Sequence, residues 1–241
     1  MLLGTCELEL GNSLGNRLDQ RYSEKVPLLD PANFLIYLIA VLIAITVHEW
    51  AHAYTATLLG DPTPNNYGRL TLNPVAHIDL LGALLFLVAG FGYAKPVPVN
   101  PSYFRHPKQG MLLTALAGPF SNLVLAFAAF ILSVFVFRAS MAEGSTAMVF
   151  ASRLCDALLR VNLGLMAFNL FPIPPLDGSN VLKALLPPNL EWEYDKLMRY
   201  GPYILLFLVF FEGMLPFRPL SGFIYFVISS VTSLFWLVIG G

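Results

Sequence analysis

One apolar run that contains two histidines and a glutamate constrains the fold of this chain more than any other feature. Residues 33–59 are mostly apolar, and the stretch TVHEWAHAY lies within them at 46–54. A helix of that length reaches roughly 40 Å, which crosses a hydrocarbon layer of about 30 Å with some tilt. Because an ionisable group inside a spanning helix is costly, we interpret these polar residues as a functional site.

The composition is that of an integral membrane protein. Of 241 residues, 56 % are hydrophobic and only 12 % are charged, about half the charged share of a soluble domain. The net charge is −1 and no basic tract occurs, which argues against nucleic-acid binding. The two cysteines, Cys6 and Cys155, form neither a disulfide framework nor a CxxC pair.

Further apolar stretches follow the first. They lie at 111–137, 151–171, 200–215 and 220–239. The stretch 78–93 is shorter and interrupted by glycines, and the prolines of AKPVPVNP (94–101) oppose a helix and favour an extended edge. The predicted fold is an all-α polytopic membrane protein with about five to six transmembrane helices and a re-entrant or extended, β-like segment around 78–101.

The chain divides into three predicted parts. Residues 1–31 are mixed and polar and lack the basic start, apolar centre and small-residue exit of a signal peptide, so we expect a short, partly disordered tail. Residues 32–186 hold the candidate site and form the predicted core. Residues 187–241 begin with a polar, surface-like stretch and are predicted to continue as C-terminal transmembrane helices.

The motif His48-Glu49-Trp50-Ala51-His52 fits H-E-x-x-H. Residues four apart lie on one face of a helix, about 6 Å apart, so two imidazoles can bind one metal ion. Glu49 lies about 100° further round, where its carboxylate can take a proton from a water that zinc has acidified. The alternative, a chance pair of surface histidines, fits poorly inside an apolar helix, since an unpaired carboxylate there has a large desolvation cost.

A catalytic zinc site takes three protein ligands and keeps one position open. The best candidate for the third ligand is Asp177, in NLFPIPPLDG at 169–178. It follows an apolar helix directly, in backbone bent by prolines, and non-helical backbone at membrane depth is tolerated only against protein or a watery cavity. Taken alone, the stretch also fits an ordinary helix-ending Asp-Gly turn, and that simpler reading stays open.

Five stretches occur in order along residues 33–186: HEWAHAY, LNPVAHID, AKPVPVNP, AGPFSN and FNLFPIPPLDG. Together they resemble the site-2 protease family of intramembrane zinc metalloproteases, the M50 peptidases, in its compact form without a PDZ or an appended regulatory domain. The resemblance implies one zinc ion per chain, with His48, His52 and Asp177 as ligands and Glu49 as general base.

The resemblance also implies two polar helpers, Asn122 in GPFSN and Asn169, eight residues before Asp177. Their amides would donate to the scissile carbonyl oxygen or pair with an unwound substrate backbone, although Asn122 also suits simple packing between helices. The implied substrate is a transmembrane protein, and the implied location is the cell membrane, with several spans in contact with lipid and the site nearer the cytoplasmic face. The extended AKPVPVN edge would bind the unwound substrate by β-addition.

The positions of the ligands predict a topology. The two histidines lie in the second half of their helix and Asp177 follows the end of its own, so these two helices must run parallel for the ligands to meet. An odd number of membrane crossings must then lie between these two helices in the sequence, and the apolar stretch 111–137 supplies one. We therefore expect 78–93 to be re-entrant or interfacial, which its short length also suits. The numbers of Lys and Arg on the two sides are too similar to set the orientation.

The remaining polar and aromatic residues carry weaker signals. We interpret His77 as bonded within its own loop and His106 as solvated. Trp50 and Tyr54 suit packing or the membrane interface, and Gly118 suits close contact between helices.

Two other classes of function remain open. A metal-ion transporter would also place His and Asp in spanning helices, but it usually shows inverted repeats and a polar trail across the membrane, and neither is visible. Metal transport by proteoliposomes would favour it. A non-catalytic relative that binds membrane proteins would have no need for the complete set of ligands and base, and zinc binding without cleavage of any substrate would favour that class.

Overall fold

The computed structural model describes residues 31–80, 82, 94–143 and 145–240, and within them the chain is a bundle of α-helices. The principal helices are α1 (Pro31–Leu58), α2 (Pro107–Glu143), α3 (Thr146–Asn169), α4 (Asp177–Leu185), α5 (Pro188–Met198), α6 (Gly201–Phe211) and α7 (Pro219–Gly240). Apart from Pro31, the predicted polar tail lies outside the described residues.

Three helices of the described chain are long and apolar enough to cross a membrane. These segments are Asn33–Leu58, Pro107–Val136 and Pro219–Ile239. Helices α5 and α6, bent by 58° at their junction, would make a fourth span if taken together. The predicted count of five to six spans is therefore not confirmed, because α3 carries charges at Arg153, Asp156 and Arg160 and because α6 has only 11 residues.

Helix α1 carries the two histidines and ends where the sequence changes from apolar to polar. Gly60 adopts φ +102°, a left-handed conformation that favours glycine. The N–H of Asp61 then donates to the carbonyl of Ala56 at 3.0 Å, which satisfies one of the last carbonyls of the helix. The two histidines lie within about the last three turns of this helix.

Helices α1, α2 and α3 form the centre of the bundle. The most extensive helix contact is between α2 and α3, and one buried cluster joins Ala126 and Phe130 of α2 to Leu159 and Leu163 of α3 and Phe235 of α7. The small residues of α1, such as Ala40 and Ala44, have no exposed surface and let its neighbours approach closely. This packing positions the side chains that line the interface of the three helices.

The contacts between α1 and α3 occur in the same order along both helices. Ile36 and Ala40 of α1 pack on Ala157 of α3, whereas His48, further along α1, contacts Asp177, just beyond the end of α3. The two helices therefore run parallel, which confirms the direction predicted from the convergence of the ligands.

The proline-rich segment at 94–101 forms only one β-type contact within the described residues. An antiparallel bridge joins Ile78 to Ala94, and the N–H of Lys95 donates to the carbonyl of His77 at 2.9 Å. The predicted β-like segment is thus limited to one bridge, because the alternate prolines that follow lack an N–H. Most of the predicted re-entrant stretch, namely 81 and 83–93, lies outside the described residues.

Candidate metal centre

His48 and His52 lie one helical turn apart on the inner face of α1, and both are buried. Their Nε2 atoms are 3.1 Å apart, and the two rings meet edge to face with centroids 4.6 Å apart. The spacing follows from the helix itself, since residues i and i+4 stack on one face.

Asp177 is the first residue of α4, and its carboxylate lies against the histidine pair. Its Oδ2 atom is 3.2 Å from Nε2 of His48 and 3.3 Å from Nε2 of His52. The two imidazoles and this carboxylate form the one group of three possible metal-ligating side chains within the described residues. We refer to His48, His52 and Asp177 below as the trio. The structure thus joins residues separated by more than a hundred positions, which the Asp-Gly turn reading alone did not require.

The hydrogen bonds of the two imidazoles fix which nitrogen of each ring faces the other members of the trio. Nδ1 of His48 lies 2.6 Å from Oδ1 of Asn122, and Nδ1 of His52 lies 2.7 Å from the carbonyl of Thr114. Both partners are acceptors, so each Nδ1 donates a proton, and each Nε2 presents a lone pair to the centre.

The trio fits a metal ion by its spacing and by its chemistry. Two imidazole lone pairs and one carboxylate oxygen face one another, and the buried Oδ2 of Asp177 has no hydrogen-bond donor within the described chain. Three acceptors at 3.1–3.3 Å would repel one another unless a cation lay between them. Tetrahedral zinc ligands bound at about 2.0–2.1 Å lie roughly 3.3–3.4 Å apart, which matches the observed separations.

The backbone between α3 and α4 brings Asp177 to the histidines. Prolines at 172, 174 and 175 interrupt the helix, and the chain turns so tightly that a Cβ on Gly178 would lie 2.2 Å from the carbonyl oxygen of Leu170. Glycine is therefore required there. The Tyr194 hydroxyl donates to the carbonyl of Ser179 at 3.0 Å, which joins α5 to the first turn of α4.

Gly118 on α2 lies directly against the two imidazoles. A Cβ built on Gly118 would come within 2.3 Å of Nε2 of His52 and 2.6 Å of Cε1 of His48. The interpretation of Gly118 as a site of close helix contact is therefore confirmed, and the group that approaches it is the histidine pair itself. Any side chain at this position would occupy space that the two imidazoles fill.

Glu49 lies between the two histidines in the sequence but outside the trio. Its side chain is partly exposed, and within the described residues its carboxylate forms no ion pair. Because Glu49 follows His48 by one residue, its side chain projects about 100° further round the helix axis than that of His48. Glu49 is therefore not one of the three candidate metal-binding side chains.

Asn122 and Asn169 occupy different environments. Asn122 is fully buried, its Oδ1 accepts from His48, and its Nδ2 donates to the carbonyl of Ala44 at 3.2 Å and to Oδ1 of Asn162 at 2.8 Å. Both of its N–H groups are therefore engaged within the bundle. The Nδ2 of Asn169 donates to the carbonyl of Leu165 in its own helix at 3.0 Å, and Asn169 forms no hydrogen bond with the trio in the described part of the chain.

Asn162 was not among the residues singled out from the sequence. It has no exposed surface and bonds to Asn122, so it belongs to the surroundings of the centre. The signal that could have identified it is an amide within an apolar helix, because such amides usually bond across helices.

The other candidate residues lie apart from the trio. His77 is fully buried, and its Nε2 donates to the carbonyl of Thr71 at 2.8 Å, so it bonds within its own loop as predicted. His106 is exposed, Cys155 is buried in α3, and Trp50 stacks on Tyr54 with centroids 4.9 Å apart.

A helical bundle with membrane-length apolar helices, in which two buried histidines meet a partly buried aspartate, has the architecture of a membrane metalloprotein. The chain is 41 % identical over 182 residues to the "Putative zinc metalloprotease YwhC" of Bacillus subtilis, a match that covers 75 % of this chain and 82 % of that protein. It is 28 % identical over 218 residues to the "Putative zinc metalloprotease Rip2" of Mycolicibacterium smegmatis, covering 84 % and 81 % of the two chains.

A third relative comes from an archaeon. The "Putative zinc metalloprotease MJ0611" of Methanocaldococcus jannaschii is 33 % identical over 153 residues, which covers 62 % of this chain and 70 % of that one. No family model matches, and no solved structure gives a significant match. From these relatives, the chain belongs to the zinc metalloprotease family that they represent.

Proposed function

We propose that this protein is an intramembrane zinc metalloprotease of the site-2 protease family, the M50 peptidases, and that it hydrolyses peptide bonds within or near the transmembrane segments of other membrane proteins. The observation that carries the proposal is the trio at 3.1–3.3 Å, two members of which lie within a membrane-length apolar helix. The names of the relatives support zinc and peptide hydrolysis. The apolar helices support a multi-pass location, which we place in the cell membrane.

The trio supplies the ligands and Glu49 supplies the base. When bound, zinc acts as a Lewis acid that polarises a carbonyl and acidifies water at neutral pH. Glu49 accepts the proton of the attacking water, and it returns that proton to the leaving nitrogen as the peptide C–N bond breaks. Asn122 keeps Nε2 of His48 directed at the centre, since its oxygen accepts the proton of Nδ1.

The role proposed for Asn122 differs from the one that the resemblance suggested. An amide that stabilises the oxyanion must have an N–H free to donate to the substrate. Both N–H groups of Asn122 are already directed at Ala44 and Asn162. We therefore assign to Asn122 the orientation of His48. Asn169, whose side chain is only partly buried, stays the candidate for contact with substrate.

The segment 95–100 is the candidate site for an unwound substrate. Asp61 holds this segment at the end of α1, because its Oδ2 accepts from the N–H of Asn100 at 2.7 Å. An extended edge of this kind can pair with an extended peptide. A helical substrate must unwind before hydrolysis, since its peptide groups are otherwise hydrogen-bonded and hidden from water.

The experiment that tests the proposal is cleavage of a panel of single-span substrates by the reconstituted full-length protein. We expect zinc-dependent cuts within or next to the apolar span, located by mass spectrometry of the products. Cleavage confined to soluble, unfolded proteins would contradict the intramembrane assignment. Metal transport by proteoliposomes without cleavage would contradict the protease assignment altogether.

A further inference from the structure

We propose that Asn162 is a positioning residue for the metal centre, which sets the orientation of His48 through Asn122. The inference rests on the proposed function in taking the trio as metal ligands. It does not depend on peptide cleavage, because each of its readouts concerns zinc binding or the imidazole itself.

A chain of hydrogen bonds runs from the backbone of α3 to His48. Nδ2 of Asn162 donates to the carbonyl of Leu158 at 2.8 Å. Nδ2 of Asn122 donates to Oδ1 of Asn162 at 2.8 Å, and Nδ1 of His48 donates to Oδ1 of Asn122 at 2.6 Å. Both amides have no exposed surface and His48 is 4 % exposed, so bulk water does not replace these bonds.

Each of the two amides in this series of hydrogen bonds can place its oxygen and its NH₂ group in only one way. The carbonyl of Leu158 only accepts, so Asn162 turns its NH₂ group toward it and its oxygen toward Asn122. The carbonyl of Ala44, 3.2 Å from Nδ2 of Asn122, imposes the same direction on that amide. Asn122 therefore presents its oxygen to His48. As a result, His48 carries its proton on Nδ1 and keeps the lone pair of Nε2 for a metal ion.

The orientation of His52 does not depend on a series of side-chain hydrogen bonds. Its Nδ1 donates directly to the backbone carbonyl of Thr114 at 2.7 Å, and a carbonyl within a helix cannot turn over. The partner of His48 is a side-chain amide, which can turn over and which Asn162 holds in place. Loss of Asn162 should therefore disturb His48 and leave His52 unchanged, which a general loss of packing would not do.

The inference can be tested by a double-mutant cycle on zinc affinity. Full-length variants in detergent would compete for Zn²⁺ with a chelator of known affinity. We expect Asn122→Leu to weaken zinc binding about 10–100-fold, the range for outer-shell partners, and Asn162→Leu about tenfold. Because Asn162 acts through Asn122, adding Asn162→Leu to Asn122→Leu should cost less than about twofold more.

Two further variants separate positioning from packing. Leu163→Ala removes a neighbouring buried side chain of α3; it should lower the melting temperature but change zinc affinity by less than about twofold. Asn162→Asp keeps the shape, and because full burial favours the neutral acid, its O–H can donate to the carbonyl of Leu158 while its other oxygen faces Asn122; zinc affinity should then stay within about threefold of wild type. Because this variant is nearly isosteric, it also provides a test if Asn162→Leu does not fold.

Nitrogen NMR of ¹⁵N-histidine-labelled protein gives a direct readout of the tautomer. We expect His48 to be protonated on Nδ1 in wild type and in Asn162→Asp, and to lose that preference in Asn162→Leu, with His52 unchanged throughout. Equal effects of Asn162→Leu and Leu163→Ala on zinc affinity, or additive effects of the two Asn→Leu changes, would overturn the inference. A wild-type protein that binds zinc but cleaves no substrate would contradict the proposed function and leave the positioning role supported by these readouts.

Discussion

At the scale of single residues, the three proposed ligands and the proposed base differ in how deeply they are buried and in how they are hydrogen-bonded. His48 and His52 are buried and hydrogen-bonded at Nδ1, and Oδ2 of Asp177 lies against both Nε2 atoms. Glu49 is partly exposed and unpaired within the described residues. This division suits a site in which three side chains hold an ion and a fourth moves a proton.

Glu49→Gln is expected to separate zinc binding from cleavage. The amide keeps the size of the side chain but cannot accept the proton of water, so cleavage of a single-span substrate should fall by at least about 10²-fold. Zinc content should stay near one ion per chain, because Glu49 is not part of the trio. A variant with near-normal turnover would exclude Glu49 as the base.

Asp177→Ala is expected to abolish both zinc binding and cleavage. Loss of one of three ligands should weaken zinc binding by more than the 10–100-fold caused by loss of an outer-shell partner. Zinc content after dialysis and cleavage measure the effect, and chelation of the wild type should likewise stop cleavage. Asp195→Ala is the control, since Asp195 is an exposed acid that pairs with Lys183; if it loses as much zinc as Asp177→Ala, the ligand assignment fails.

At the scale of elements, α3 combines charged residues with a central place in the bundle. It is not among the helices apolar enough to cross a membrane, yet it packs against both α1 and α2. Two of these charges pair with each other, since Nε of Arg160 lies 3.2 Å from Oδ2 of Asp156, one turn apart. A helix that is surrounded by protein can carry such pairs at lower cost than one that faces lipid.

The prediction at this scale belongs to α2, where Gly118 has no side chain and so leaves room for the trio. Gly118→Ala would place a Cβ within 2.3 Å of Nε2 of His52, so the imidazoles must shift. We expect zinc affinity to fall about tenfold or more, as measured by chelator competition, although no ligand is removed.

Gly164→Ala on α3 is the matched control for this prediction. A Cβ on Gly164 would meet no atom within 4 Å, so the substitution should leave zinc affinity unchanged and stabilise the helix by about 0.5–1 kcal/mol. If Gly118→Ala binds zinc as tightly as Gly164→Ala does, close packing against the trio is not needed for the centre.

At the scale of the whole molecule, the loop after α1 joins the metal centre to the candidate substrate edge. The carboxylate of Asp61 has no exposed surface, and it accepts from the N–H of Thr63 at 2.9 Å and from that of Asn100 at 2.7 Å. Hydrogen bonds to a charged group contribute about 1.5–3 kcal/mol each. One buried side chain thus fixes the segment 95–100 relative to the helix that carries the histidines.

Asp61→Ala is expected to release this edge without removing zinc. If the segment binds unwound substrate, KM for a single-span substrate should rise several-fold while zinc content stays unchanged. Asn73→Ala, which removes a side-chain cap in an exposed part of the same loop, should leave KM unchanged. An Asp61→Ala variant with normal KM and intact zinc would exclude substrate pairing at this edge.

Much of the site could be predicted from local sequence pattern. The part that could not be predicted depends on contacts between helices that are far apart in the sequence. The spacing of His48 and His52 is a property of one helix turn, and the breaks around Asp177 follow from proline and glycine chemistry. Asn122, by contrast, was interpreted either as a helper residue that the resemblance implies or as a residue that stabilises helix packing. Its hydrogen bonds with Ala44 and Asn162 come from two other helices, 78 and 40 residues away in the sequence.

The sequence by itself determined the apolar helices, the ligand types and the i, i+4 pair, because hydropathy and helix periodicity act over a few neighbouring residues. The meeting of Asp177 with this pair and the parallel run of α1 and α3 were expectations that needed the tertiary structure to show them, and only the tertiary structure brought the buried amides of Asn122 and Asn162 together beside His48. These features depend on how helices far apart in the chain pack together. Donor and acceptor directions in a buried site are fixed by groups from every helix that surrounds it.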